Sequence, residues 1–275
     1  MNSKIGFLYI GDKYKDEEKY ISKYFTTIRL TTSLSEIANI DKLIKCDYVL
    51  LRGSKFTQEE YEKIYAILKQ NKINAYSSPV SYKIANSAIL YSKLLGENAP
   101  NLYVFSARQS DEEIIESFKN NLVFPLFVRS DKESAAKYVG VDGCIVSSEN
   151  KESFKIALDN LRNNVKNIND IIFKQVIPIK QYNKKINLEY RAIVFNGKLI
   201  CFDYNKELPN PSDYGLDESV TELALNLMEK GFDGGYFMDF AIKENGGFYV
   251  VECKDLINGT IKNIDRFIKL LQDKI

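Results

Sequence analysis

Two apolar runs, Met238–Ile242 and Phe248–Val251, flank Lys243-Glu244-Asn245-Gly246-Gly247, and each carries a carboxylate toward its far end, Asp239 on one side and Glu252 on the other. An Asn-Gly dipeptide between such runs is the strongest short-range signal for a β-hairpin, so this part of the chain is expected to fold as antiparallel sheet. With Asn245-Gly246 as a two-residue type I′ turn, Asp239 falls directly opposite Glu252. Two opposed carboxylates on one sheet face repel each other and destabilise the pair unless a cation lies between them. The hairpin therefore asks for a metal. A hard ion such as Mg2+ takes one or two carboxylates together with phosphate oxygens, which hints at a nucleotide. A Gly246-Gly247 turn would instead set Asp239 opposite Lys254 and leave a simple ion pair.

The rest of the composition narrows the chemistry further. The 275 residues contain 38 Lys and Arg against 37 Asp and Glu, which leaves no basic excess for a nucleic-acid backbone or an anionic membrane. No apolar run approaches the roughly 20 residues of a membrane span, and Met1-Asn2-Ser3-Lys4 leads straight into a strand rather than a signal peptide, so a cytoplasmic protein is expected. Cys46, Cys144, Cys201 and Cys253 form no CxxC pair, which fits small core residues rather than a disulfide framework or a zinc cluster. Histidine is absent. That removes Ser-His-Asp and Cys-His catalysis and His-ligated metals, and leaves Asp, Glu, Lys, Arg and backbone amides, which suit phosphate handling.

Along the chain, β-rich runs at residues 4–10 and 47–52 are separated by stretches with helical spacing. Thr57-Gln58-Glu59-Glu60 is a capping box opening a helix with Tyr61, Ile64, Tyr65 and Leu68 on one face, and Ile73–Tyr76 reads as the next strand. Residues 1–97 thus read as a small open α/β domain of parallel type. A helix over residues 80–95 follows, and Asn98-Ala99-Pro100 marks the boundary. Residues 98–275 read as an α+β domain with strands near 102–105, 123–129, 144–147 and 171–177, helices near 154–161, 219–230 and 264–271, and a second Asn-Gly hairpin at Asn196-Gly197. Lobes of this kind leave a cleft between them, where small-molecule sites tend to lie.

In that order the segments resemble the ATP-grasp superfamily, and the likeness extends over most of the chain. Phe124-Pro125-Leu126-Phe127-Val128-Arg129 is similar to the strand that brings a basic residue to the nucleotide phosphates, and Lys137–Gly143 to the glycine-bearing loop that covers them. Ile171–Ile177 resembles the interlobe hinge whose backbone reads adenine, and Glu189-Tyr190-Arg191 the Asp/Glu-x-Arg strand of carboxylate-amine ligases. Asp239 and Glu252 fit its metal pair. The sequence departs from the family where Arg129 replaces a common lysine, where Asn86-Ser87 replaces an Asp-Lys pair, where Gln175 replaces an acidic hinge residue, and where Glu252-Cys253-Lys254 replaces Glu-x-Asn. Asp255 is then the candidate third metal ligand.

The resemblance implies an ATP-grasp fold preceded by the small α/β domain, with residues 98–175 covering the nucleotide and 176–275 holding metal and substrate. It implies Mg2+ and ATP as cofactors, Arg129, Lys132, Lys137, Lys174, Gln175, Val176, Ile177 and Glu189 at the nucleotide, and Asp239, Glu252 and Asp255 at the metal. Arg129 and Arg191 would be catalytic, with Arg191 steadying an acylphosphate or substrate carboxylate. Arg52, at the C-terminal end of a parallel strand where α/β sheets bind ligands, could hold an acidic substrate; equally it could be an exposed arginine at a helix entry. Glu189 and Arg191 share a strand face and could simply pair with each other. The activity implied is ligation of a small-molecule or peptide carboxylate to an amine through an acylphosphate. An ATP-dependent phosphotransferase and a degenerate nucleotide- or peptide-binding module are the alternatives, the latter favoured by Lys254 and the missing Asp-Lys pair.

Overall fold

The computed structural model describes residues 4–30, 40, 42–118, 124–147 and 150–274. It divides into two compact units: Met1–Ala85 with Glu189–Phe240 and Glu252–Ile275, and Asn86–Leu188 with Ala241–Val251. These units cut the chain differently from a sequential division near residue 97, because the front α/β segment shares its core with the C-terminal strands.

In the first unit, β1 (Ile5–Ile10), α1 (Lys15–Ile21), β2 (Thr26–Leu30) and β3 (Tyr48–Gly53) build a parallel sheet in the order β2-β1-β3. α2 (Gln58–Gln70) opens on the expected capping box: Thr57 accepts from Glu60 N–H while the Glu60 carboxylate accepts from Thr57 N–H. Its Tyr61, Ile64 and Leu68 are buried beneath one face of the sheet, against Leu8, Val49 and Leu51. Ile73–Tyr76 does not continue as a strand; it makes a single parallel bridge, Val49 to Ala75. The helix expected over residues 80–95 is broken into α3 (Pro79–Ala85) and α4 (Ala88–Leu95), because the Ser87 hydroxyl accepts from Leu90 N–H and starts a new helix.

The second unit continues with β4 (Leu102–Ser106), α5 (Asp111–Glu116), β5 (Leu126–Ser130), α6 (Ala136–Val139), β6 (Ile145–Val146), α7 (Lys151–Asn164), β7 (Asp170–Gln175), β8 (Gln181–Tyr182) and β9 (Ile186–Asn187). β4, β7, β5 and β6 form an antiparallel sheet in that order. Strand alternation sends Leu126, Val128, Ile171 and Phe173 into a core with Phe118, Phe154, Leu158 and Leu161. Arg129, Ile172 and Lys174 lie on the opposite face.

The first unit resumes with β10 (Glu189–Phe195), β11 (Lys198–Asp203), α8 (Leu216–Glu229), β12 (Gly235–Ile242), β13 (Phe248–Asp255) and α9 (Ile264–Lys274). The sheet order is β11-β10-β12-β13. Ile193, Phe195, Ile200 and Phe237 of this sheet join Ile5, Phe7 and Tyr9 of β1 and Phe267, Ile268 and Leu271 of α9 in one cluster. Each large side chain so buried contributes roughly 1.5–3 kcal/mol of transfer free energy, which binds the N-terminal sheet to the C-terminal one.

The two Asn-Gly dipeptides behave differently. Asn196 (φ +43°) and Gly197 (φ +72°) form the two-residue turn with both residues left-handed, and Phe195 pairs with Lys198. The 245–246 turn is a three-residue loop instead. Gly246 N–H donates to Lys243 O at 3.1 Å, Lys243 N–H donates to Gly247 O at 3.1 Å, and the left-handed residues are Gly246 (φ +90°) and Gly247 (φ +74°) rather than Asn245. At the other end of this hairpin Leu256 N–H donates to Gly235 O at 3.4 Å. Counting inward from that bond sets Asp239 opposite Glu252, and β13 takes one residue more than β12 to reach the turn.

All four cysteines are buried and none is in a disulfide, as small core residues should be. Among the described residues no helix is long and apolar enough to cross a membrane.

Candidate functional site

The face of the C-terminal sheet that is apolar through Ile193, Cys201 and Phe237 becomes charged two residues further along each strand, at Arg191, Asp203 and Asp239. Arg191 donates from Nε to Asp239 Oδ1 at 2.6 Å and from Nη2 to Asp239 Oδ2 at 2.7 Å, a parallel fork matched to a carboxylate. Its guanidinium lies 5.0 Å from the centre of the Phe237 ring. Asp203 is the register partner of Arg191 on β11 and is buried, its Oδ2 accepting from Lys262 N–H at 2.9 Å. Glu252 Oε2 is 2.6 Å from Lys254 Nζ, both on one face of β13. The Asp239 hydrogen bonds raise the Arg191 pKa above its ordinary value, burial opposes this, and the charges of Asp239, Asp203 and Glu252 add to the rise.

This row corrects the electrostatic argument from the hairpin. Asp239 and Glu252 do not depend on a metal to coexist, because Arg191 and Lys254 each bring a cation. The pair still suits Mg2+ as two carboxylates that leave further positions to phosphate oxygens. Asp255 does not join them. It is three residues from Glu252 on one strand and so on the opposite face; it is buried, and its Oδ1 accepts from Ile257 N–H at 2.8 Å and Asn258 N–H at 3.2 Å. Among the described residues no group of three His, Cys, Asp or Glu side chains could hold a metal. Glu189 is exposed, and the Arg191 fork goes to Asp239 rather than to Glu189.

In the second unit Arg129 and Lys174 are both buried on the face of the sheet turned away from its core. Arg129 Nε donates to Ser130 O at 2.9 Å, and Lys174 Nζ to Val251 O. Gln175 and Val176 are held through backbone bonds, Gln175 N–H to Asn101 O at 3.0 Å and Val176 N–H to Pro125 O at 2.9 Å; Ile177 follows, half-buried. After β5 the loop exposes Lys132 and α6 exposes Lys137, the latter 3.5 Å from Glu133 and over the Tyr138 ring at 4.8 Å. Where the sequence lacks an Asp-Lys pair, Ser87 Oγ and Ile89 N–H both donate to Asp131 Oδ1 at 2.9 Å.

Arg52 is neither an exposed helix-entry arginine nor open to an acidic substrate in this structure. It is 1% exposed and held by a structural network: Nε to Glu17 Oε1 at 2.7 Å, Nη2 to Glu17 Oε2 at 2.6 Å, Nη2 to Gly259 O at 2.8 Å, and Nη1 to Leu256 O. Burial works against its charge, but Glu17 outweighs that and the pKa is raised. A buried guanidinium between a carboxylate and two carbonyls ties the loop after β13 to the N-terminal sheet.

Sequence reasoning missed Asp203, because the Asn196-Gly197 turn counted strictly sets Phe202 opposite Arg191. An irregularity between Ile193 and Val194 leaves an extra residue on β11 and brings Asp203 there instead.

No protein-family model matches the sequence, and a search of curated proteins finds no match. Solved structures do match. A RimK domain protein ATP-grasp from Sphaerobacter thermophilus superposes with TM-score 0.65 at 14% identity, over 99% of this chain and 99% of that one. The VanG D-Ala:D-Ser ligase of Enterococcus faecalis gives 0.64 at 13% identity over 99% and 97%. The D-alanine–D-alanine ligase of Bacillus anthracis complexed with ATP gives 0.60 at 15% identity over 98% and 96%. The chain therefore has the ATP-grasp fold along essentially its whole length.

Proposed function

We propose that this protein is an ATP-dependent carboxylate-amine ligase. The observation that carries the reading is the Arg191–Asp239 fork with Asp203 and Glu252 beside it, a charged row on the fold shared with ligases and with one structure complexed with ATP. Ligation of this kind needs positioning and charge neutralisation rather than a histidine base. Asp239 and Glu252 would hold Mg2+, which when bound neutralises phosphate charge. Arg129 and Lys174 would hold the nucleotide phosphates, Lys132 and Lys137 would supply mobile charge from the segment after β5, and the backbone of Gln175, Val176 and Ile177 would meet the base. Arg191 would steady the anionic carboxyl group while a carboxylate oxygen takes the terminal phosphoryl group and ADP leaves. An amine then displaces phosphate from the acyl carbon.

The Glu252–Lys254 ion pair favours a second reading, a nucleotide-binding module in which an internal cation has replaced the metal. An ADP-release assay with Mg2+ and pooled amino acids and peptides separates the two, and product mass distinguishes ligase from phosphotransferase. The ligase reading expects ADP and a product equal to two substrates less water. ATP binding with no ADP release from any mixture would support the module, and a phosphorylated product the phosphotransferase.

A further inference from the structure

Beside the charged row, Phe202, Asp203, Tyr204, Lys206, Asn263 and Arg266 line a cavity of about 170 Å³. That is far above the ~10–15 Å³ that admits one water. Its charges are ordered by depth: Asp203 is buried and fixed by Lys262 N–H, while Lys206 and Arg266 are exposed. Asn263 stands just before α9 and its Oδ1 accepts from Arg266 N–H at 3.2 Å, so the positive end of an eleven-residue helix adds to the two cations. The Arg266 guanidinium lies 6.0 Å from the centre of the Tyr204 ring, which gives it an aromatic support.

We infer that this pocket binds a free α-amino acid, with its ammonium on the inner Asp203 and its carboxylate on Arg266 and Lys206. An anion within and cations outside match a zwitterion in one orientation and mismatch a simple anion, which Asp203 repels. Because Asp203 is paired in register with Arg191, the bound ammonium group comes next to the row that would hold the acyl group. The pocket thereby defines the amine substrate of the ligase proposed above, and that assignment of role rests on the ligase reading. The binding itself does not.

The test is calorimetric titration of the full chain, without nucleotide, against the standard amino acids in L and D forms, their α-amides and their N-acetyl derivatives. At least one free amino acid binds at millimolar concentration or better. Its amide and its N-acetyl form bind roughly tenfold or more weakly, the loss expected for one charge-assisted contact. Arg266→Glu and Lys206→Glu, both at exposed positions, show the same loss while their circular dichroism and their affinity for a non-hydrolysable ATP analogue stay as in the wild type. Absence of binding by every free amino acid, equal binding of either blocked form, or unchanged affinity in Arg266→Glu overturns the inference. Amino-acid binding as described with no ADP release in any mixture leaves the pocket standing and removes the ligase reading.

Discussion

Arg191 and Asp239 face each other across adjacent strands through two hydrogen bonds of 2.6 and 2.7 Å, where the apolar core of the C-terminal sheet gives way to charge. Both side chains are about three-quarters buried. The contact therefore serves the fold as well as any chemistry. Arg191→Gln is expected to lower stability in urea unfolding by about 1.5–3 kcal/mol, the range for hydrogen bonds between charged groups. A loss under about 0.5 kcal/mol would show that the fork is incidental.

Glu17→Gln leaves the Arg52 guanidinium buried without its counter-charge, and such an uncompensated charge costs about 3–5 kcal/mol. The expected outcome is a large stability loss in urea unfolding. Near wild-type stability together with a raised KM for a substrate would return Arg52 to the binding role that its position after β3 suggests.

The Asn196-Gly197 turn makes a local prediction. Gly197 is left-handed, and an added Cβ would stand 3.2 Å from Leu225 and from Met228. Gly197→Ala is expected to cost on the order of 1–3 kcal/mol by thermal unfolding. The same change at Gly246, also left-handed but with nothing within 4 Å, should cost less.

Much of the fold was legible because its signals are local. The capping box at Thr57–Glu60, the alternation in β5 and β7 and the Asn196-Gly197 turn each follow from neighbours in sequence. What escaped depends on register and on contacts far along the chain. One extra residue in β11 brings Asp203 to Arg191, and a three-residue loop replaces the two-residue turn at Asn245-Gly246. The broken helix at Asn86-Ser87 follows from a serine cap supported by Asp131, 44 residues away. Arg52 was ambiguous for the same reason, since its partners Glu17, Leu256 and Gly259 are 35 to 207 residues distant. The carboxylates of Asp239 and Glu252 were legible, but the fork that neutralises Asp239 was not, because Arg191 comes from a separate hairpin.

Lys254 competes with a metal for Glu252 if Asp239 and Glu252 hold Mg2+. Lys254→Asn is therefore expected to lower the Mg2+ concentration for half-maximal ATP turnover several-fold, about tenfold if roughly 1.4 kcal/mol of competition is removed. Magnesium titration of ADP release reads this directly. An unchanged midpoint would mean that the Glu252–Lys254 pair lies outside the metal site.

Whether Asp239 serves Mg2+-dependent ATP chemistry is read by ADP release from the wild type and from Asp239→Asn under the same substrate mixture. The variant must be shown folded by circular dichroism at the assay temperature. The wild type is expected to form ADP with a product of two substrates less water, and the variant to lose about a hundredfold or more of that rate, the scale on which removing one electrostatic contact to the reacting charge acts. Wild-type turnover that persists undiminished in Asp239→Asn would contradict that role.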